Sequence, residues 1–404
     1  MPTGTQIAAS DQNGPAPAST AASPGSASAT PAQQNAIPFV RASRKATVQD
    51  FQNPATAITA AQSQIGPFDI QSNGFLRGLE LYVTATAAGN AATVVFKGDA
   101  PFTALTNNSL QDPSSEFIIN PYDGYELMLA EKYFAYHGNP PFCDPRNSPN
   151  YLATAGSGGA GGSFGFELWL PLEDRERDAF CAVPNSAANK NYRYQGFINT
   201  SANIYATPPT TLPNISVACT NFYWTEPPPS IGNVPTVTTP NGNGSVAFLD
   251  REVFTAVTAQ TNPTLILKNV GRVFKNILFV LRTAAGVRDS ADWPNPTQVW
   301  LNNFPLYYKP THTWLAEMSE RYGWTAGPGT YDVANGLDTG VFALYDLFSQ
   351  PAGVTNWGSA DQFLATLPTT KVQIVGSWGG SASSLTCLER TIKPSSGTAL
   401  YGSR

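Results

Sequence analysis

Charge is what this chain has least of. Charged residues make up 13% of its 404 positions, against ~25% in an average soluble protein. Lys and Arg number 23 and Asp and Glu 28, a net charge of −5. That balance excludes bulk nucleic-acid binding, which needs a basic face. Histidine is almost missing: His137 and His312 are the two. Neither has a partner at ligand spacing, so a zinc or cupin-type metal site is not expected. No GxSxG elbow accompanies them, which argues against a serine nucleophile with a histidine base. Cysteine is sparse too. Cys143, Cys181, Cys219 and Cys387 form no CxxC pair and read as free residues packed like small apolar side chains. Long apolar runs are absent. The densest, Ile277–Leu281, lies between Lys275 and Arg282 and is too short to span a bilayer. The N-terminal residues carry neither a basic nor an apolar region of the secretory kind, so the chain is expected to be made and kept in cytoplasm.

Gly and Pro, by contrast, are abundant at 34 each, together roughly 17% of the chain against ~12% ordinarily. This is the composition of a turn-rich β protein. Residues 1–36 are mostly Ala, Ser, Thr, Pro, Gln and Gly, with no aromatic residue. Alone they cannot bury enough apolar surface to offset their ordering entropy. They read as an arm that is idle or orders against a neighbour.

Period-two alternation marks strands. In Leu79–Thr84 the odd positions are apolar, and in Phe164–Leu172 the even ones are. Further strands are expected at 93–96, 117–119, 194–199 and 215–224. Residues 125–136 fit helix or strand. From Pro227 to Gly244 periodicity disappears, as in a linker. A second block follows, with strands at 246–257, 264–267, 272–282, 298–301, 340–347 and 371–378. A helix over 313–322 is capped by Thr311 or Thr313 and stopped by Gly323, with Trp314, Leu315 and Met318 on its core face.

No reaction centre emerges. The run Glu173-Asp174-Arg175-Glu176-Arg177-Asp178 reads as a solvated turn or short helix with local ion pairs, with a subunit contact as a further use. Glu167, mid-strand, is expected to face solvent. The Gly-rich stretch 155–163 lacks the Lys-Ser/Thr of a phosphate loop and precedes a strand, so it reads as a surface loop. The sequons at Asn199 and Asn214 carry no weight without a secretory signal. Thus no catalytic, cofactor-binding or metal-ligating residue is predicted, and the chain is not expected to be an enzyme.

Several segments, taken in order, resemble the double jelly-roll major capsid proteins of tectivirus-like bacteriophages with an internal membrane and double-stranded DNA. The first is Asn73–Thr84. Next come Phe166–Leu172 with its acidic turn, Val183-Pro184-Asn185, Tyr194–Asn199, and Ala218–Trp224 closing the first roll. In the second block, Thr313–Tyr322 is similar to that family's helix, Gly340–Leu347 to the strand after it, and Lys371–Trp378 to its final strand. The resemblance implies an all-β fold of two tandem eight-stranded jelly rolls with few short helices and an extended N-terminal arm. Residues 1–36 would be the arm, 37–229 the first roll, 230–245 a linker, and 246–404 the second roll with its tail. It also implies pseudo-hexagonal homotrimers that tile an icosahedral shell. Their partners would be neighbouring trimers, vertex and minor capsid proteins, and an inner membrane reached through the arm. No cofactor and no specific nucleic-acid contact is implied. Trp224, Trp293, Trp300 and Trp324 are expected in cores or subunit contacts. Two other readings stay open: a secreted carbohydrate-binding or adhesin β-sandwich, and a β-sandwich glycoside hydrolase using paired carboxylates.

Overall fold

Alternation builds the sheets. In the strand Phe75–Thr86, Leu79, Leu81 and Val83 are fully buried while Tyr82 between them is 51% exposed. Such a strand has one core face and one outer face. The computed structural model describes residues 36–87, 93–134, 150–151, 161–187, 190–258, 263–322, 340–344 and 364–395. Residues 1–35 of the arm, His137, Cys143, most of the Gly-rich stretch, Gly323, Trp324 and residues 345–347 lie outside them.

Sixteen principal strands fall into two sets of eight. The first set is β1 (Lys45–Ala57), β2 (Ser63–Asp69), β3 (Phe75–Thr86), β4 (Leu105–Gln111), β5 (Phe117–Tyr122), β6 (Phe164–Pro171), β7 (Arg193–Ile198) and β8 (Asn214–Trp224). The second is β9 (Val246–Thr255), β10 (Thr264–Ile266), β11 (Val273–Thr283), β12 (Thr297–Leu301), β13 (Phe304–Lys309), β14 (Val341–Leu344), β15 (Val372–Val375) and β16 (Ala382–Lys393). In each set the first strand pairs with the last, the last with the third, and the third with the sixth. The second pairs with the seventh, the seventh with the fourth, and the fourth neighbours the fifth. That order, repeated twice, is a double jelly roll.

The two rolls share a sheet. β5, at the edge of the first, meets β9, at the edge of the second, in parallel at Ile119 and Leu249. The sheet β2-β7-β4-β5-β9-β16-β11-β14 therefore runs through both halves. Sheets β1-β8-β3-β6 and β10-β15-β12-β13 close the two sandwiches from outside. Joining edges in this way removes two exposed strand edges from each molecule.

Two longer helices follow the fifth strand of each roll. Helix α1 (Gly124–Phe134) resolves the ambiguous segment over 125–134; residues 135 and 136 lie outside the described residues. All eleven of its residues are buried, so no polar face betrays a helical period. Helix α2 (Thr311–Tyr322) buries Trp314 and Met318 as expected. Trp314 Nε1 donates to the Ala343 carbonyl at 2.9 Å. Its ring stacks on Tyr307, 5.6 Å between centroids. Neither threonine caps this helix. The Pro310 carbonyl receives the amides of Thr313 and Trp314, so Thr311 is already its first residue. Its hydroxyl donates instead to the Pro294 carbonyl at 2.8 Å.

Two other expectations need correction. The final strand is β16 (382–393), and the segment at 371–378 contributes only the penultimate strand β15. β16 pairs with β9 on one side and β11 on the other. It escapes a period-two reading because Glu389 and Arg390, adjacent in sequence, are both fully buried. The expected strand at 93–96 is confined to Val95–Phe96. The connecting segment 230–245 contains a hairpin pairing Ser230–Ile231 with Val234–Pro235.

Glycine at position 78 is required by a close approach. A Cβ there would lie 2.5 Å from Trp169 Cζ2 and 2.8 Å from the Leu170 carbonyl oxygen. Trp169 crosses this gap on the outer face of β6 and is only 7% exposed. Gly78→Ala is expected to lower stability by about 1–3 kcal/mol, read as a lower denaturation midpoint in guanidinium chloride with an unchanged slope.

Candidate assembly site

The acidic run beginning at Glu173 is the first surprise. Glu173 and Asp174 are buried, where a solvated turn was expected. Glu173 accepts the Trp224 Nε1 proton at 2.6 Å and the Arg77 Nε proton at 2.7 Å. Asp174 reaches across to the second roll. Lys275 Nζ lies 2.8 Å from its Oδ1, and Arg390 Nε lies 3.9 Å from the same oxygen. The expected local pairing is present too, between Arg175 and Asp178 at 2.8 Å. The run begins at the end of β6, where the first roll turns against β11 and β16 of the second.

Arg390 sits at the centre of this seam. It is fully buried, and its two terminal nitrogens donate to the Pro171 and Leu172 carbonyls, both at 3.1 Å. A planar guanidinium presents donors in a fixed fork. Here that fork caps two carbonyls at the strand end left open by Pro171.

Other ion pairs cross the seam with the same polarity. Arg251 holds Glu126 of α1 through Nε at 2.7 Å and Nη2 at 2.9 Å. Arg282 and Arg288 both bind Asp99, at 2.5 and 2.8 Å. Arg272 and Lys393 approach Glu116 at 3.8 and 3.9 Å. Among the described residues, every ion pair between the rolls takes its acid from the first and its base from the second. Other hydrogen bonds reinforce them. Asn120 Nδ2 donates to Asp250 Oδ1 at 2.8 Å, and the Tyr122 hydroxyl donates to the Asp250 carbonyl at 2.7 Å.

Burial sets the protonation of this region. Desolvation raises the Glu126 carboxyl above its ordinary range, with Arg251 opposing it. Glu389, on β16 opposite Asp250, is pushed up to about 8, chiefly by desolvation; Asn269 opposes the shift, while Asp250 and Glu252 add to it. Cys181, Cys219 and Cys387 are free and buried. Their thiols are held well above the usual range, again by desolvation.

The outer faces differ in kind from the seam. On the sheet β10-β15-β12-β13, the residues facing away from the core include Ile266, Gln373, Val375, Gln298, Trp300 and Tyr308, placed together by register. Tyr308 is 64% exposed, and Phe304 at the β13 turn is 69% exposed. Trp300 is half-buried and donates to its neighbour Gln298 at 3.1 Å. Trp224 and Trp293 lie in cores. Glu167 is half-buried and His312 is exposed. Sequence reasoning missed the seam altogether. Its one legible sign was charge at positions where the strand period calls for apolar side chains, as at Glu389-Arg390.

No protein-family profile and no curated protein matches the chain. Solved structures do. One titled for the atomic structure of Sulfolobus turreted icosahedral virus matches with a TM-score of 0.60 and 11% identity, covering 89% of this chain and 92% of that one. The major capsid protein of the same virus, in crystal form, matches with a TM-score of 0.56 and 10% identity, over 86% and 96% of the two chains. Fold is thus shared over nearly the whole length while sequence is not. The chain has the double jelly-roll fold of viral major capsid proteins.

Arg390→Ala leaves two buried carbonyls without their donor and takes a guanidinium from beside Asp174, which keeps Lys275. It is expected to cost about 3–5 kcal/mol, measured by equilibrium denaturation. Glu389 gives a pH signature. Its folded-state affinity for the proton exceeds the unfolded one, so its contribution is complete below pH ~4.5 and is lost as pH rises through about 8. Melting curves from pH 5 to 9 should show Glu389→Gln gaining on the wild type as pH rises; parallel curves would contradict this.

Proposed function

We propose that this protein is a structural subunit of a virus shell: a major capsid protein whose homotrimers tile an icosahedral lattice. One observation carries the reading. Two jelly rolls of like topology stand side by side, fused through one sheet, so three copies present six similar barrels around a threefold axis. A pseudo-hexagonal block of that shape packs a plane without gaps.

The distribution of polarity supports it. Ion pairs line the seam inside each subunit, while the outer sheet of the second roll offers aromatic and amide side chains. Surfaces of that composition suit protein–protein contact, where charged residues are depleted and aromatic ones enriched. Contacts between trimers can then be individually weak, which lets a growing shell correct its errors. In this reading the protein resides in the virion, is made and assembled in host cytoplasm, and meets neighbouring trimers, vertex proteins and minor capsid proteins. Residues 1–36 reach a neighbouring trimer or an inner membrane. The role is structural rather than catalytic. The buried carboxylates of the seam face arginine, lysine or amide donors and leave no acid pair open to a substrate, so nothing favours the hydrolase. Nor does any feature favour the carbohydrate-binding reading.

Size-exclusion chromatography with light scattering tests the first step. The purified protein should elute at three times its 43.0 kDa chain mass and give pseudo-hexagonal particles in negative stain. A stable monomer at micromolar concentration would sink the reading.

A further inference from the structure

Beside the connection between the rolls, the surface holds a cavity of about 530 Å³, a size ordinary for a binding pocket. Two short segments make most of its wall. Pro38, Phe39 and Val40 form one, where the arm enters the first roll; Val237 and 239–243 form the other, and Asp178 completes it. Phe39 is 3% exposed and meets the rings of Phe75 and Trp224 edge-on, at 5.2 and 6.1 Å between centroids. Hydrogen bonds hold the walls in place. The Val237 amide donates to the Ile37 carbonyl at 2.9 Å, and the Asn241 amide to the Asp178 carbonyl at 3.3 Å. Asn241 Nδ2 donates to Asp178 Oδ2 at 2.7 Å. The lining is mixed: Phe39, Val40, Val237 and Pro240 are apolar, while Thr239, Asn241 and Asp178 bring hydroxyl, amide and carboxylate groups. An aromatic ring with a polar end suits such a lining.

We propose that this cavity seats the chain's own residues 396–404, with Tyr401 as the anchor and Leu400 beside it. Position selects this occupant first. The last described residue, Ser395, stands at the rim. Its amide donates to Ser245 Oγ at 3.1 Å, and the Ser245 amide donates at 2.7 Å to the carbonyl of Gly242, which lines the cavity. Six residues span at most about 20 Å, so Tyr401 starts within reach. Composition agrees. Residues 396–399 are Ser, Gly, Thr and Ala, and Leu400 and Tyr401 are the large apolar side chains of the nine. The other segment that meets the cavity, residues 1–35, contains no Phe, Tyr, Trp, Leu or Val and so supplies no anchor of that shape. Tethering favours the same chain over a second copy, because a short link holds its segment at an effective concentration on the order of millimolar. Seated there, the segment fastens the root of the arm, the connection between the rolls and the end of β16 to one another. The seat lies within one chain and does not rest on the shell reading.

Thiol labelling of the full chain tests this. Val237→Cys, in the cavity, is compared with Val95→Cys, outside it. The two valines are 41% and 46% exposed among the described residues, so an occupant of the cavity is what would separate them. Val237→Cys should label about tenfold more slowly or slower still, with the labelled site read by peptide mapping. Adding Leu400→Ser and Tyr401→Ser should bring it to the Val95→Cys rate and leave Val95→Cys unchanged. Under mild oxidation, Val237→Cys combined with Tyr401→Cys should form a disulfide within one chain, seen as a single-chain mass on a non-reducing denaturing gel. Equal labelling of the two positions in the full chain overturns the seat. So does slow labelling of Val237→Cys that the two serines fail to relieve. A disulfide that joins two chains overturns the assignment to the same chain. Trimer mass reports on the shell reading separately, so failure of one leaves the other standing.

Discussion

Arg390 is the residue on which the geometry of the whole chain depends. A guanidinium fully withdrawn from water is costly unless every neighbour answers it. Here two main-chain carbonyls of the first roll accept from its terminal nitrogens, and the Asp174 carboxylate lies 3.9 Å from its Nε. A buried ion pair of this kind is weak evidence for stability, because an apolar contact of equal volume would serve as well or better. It does fix position. Two β-sandwiches joined by a greasy face could slide, whereas a forked donor meeting two carbonyls has one register. The single-sign polarity of the seam acts in the same direction. First-roll acids repel first-roll acids, so each half is matched to the other and mismatched to a copy of itself.

The low charge content then has a location as well as a cause. Part of the charge this chain carries is engaged between its halves, through Glu126, Asp174, Asp99 and their basic partners. Little of it is needed outside if the outside is covered by other subunits. The exposed Phe304 and Tyr308 are what a free monomer would avoid on that scale and an assembling one would keep.

Legibility in the sequence followed burial pattern. Strands with one face inside and one outside, β3 and β6 above all, announce themselves by alternation. β1 does not, because it is an edge strand whose sides are both largely wet, with burial confined to Phe51. β4 hides because its inward positions include Asn108, which receives the Tyr194 hydroxyl proton and donates to the Tyr122 carbonyl. α1 hides for the opposite reason, being buried all round. The acidic run at Glu173 was visible and misread: a charge cluster after a strand usually faces water, and only the other roll's Lys275 and Arg390, a hundred and more residues away, make it an interior feature. Order of segments carried the fold where single motifs could not.

The pairing of β5 with β9 is parallel, and this has a consequence for anything built from the chain. Two like barrels joined by an antiparallel edge would point in opposite directions and make a two-faced object with equivalent ends. Joined in parallel, they point the same way. Ile37, next to the start of the described chain and hydrogen-bonded to Pro235, and its last described residue, Ser395, bonded to Ser245, are both tied to the connection between the rolls. They therefore gather at one pole, leaving the other to the loops between strands. A sheet tiled from such units has an inside and an outside fixed before the first two of them meet.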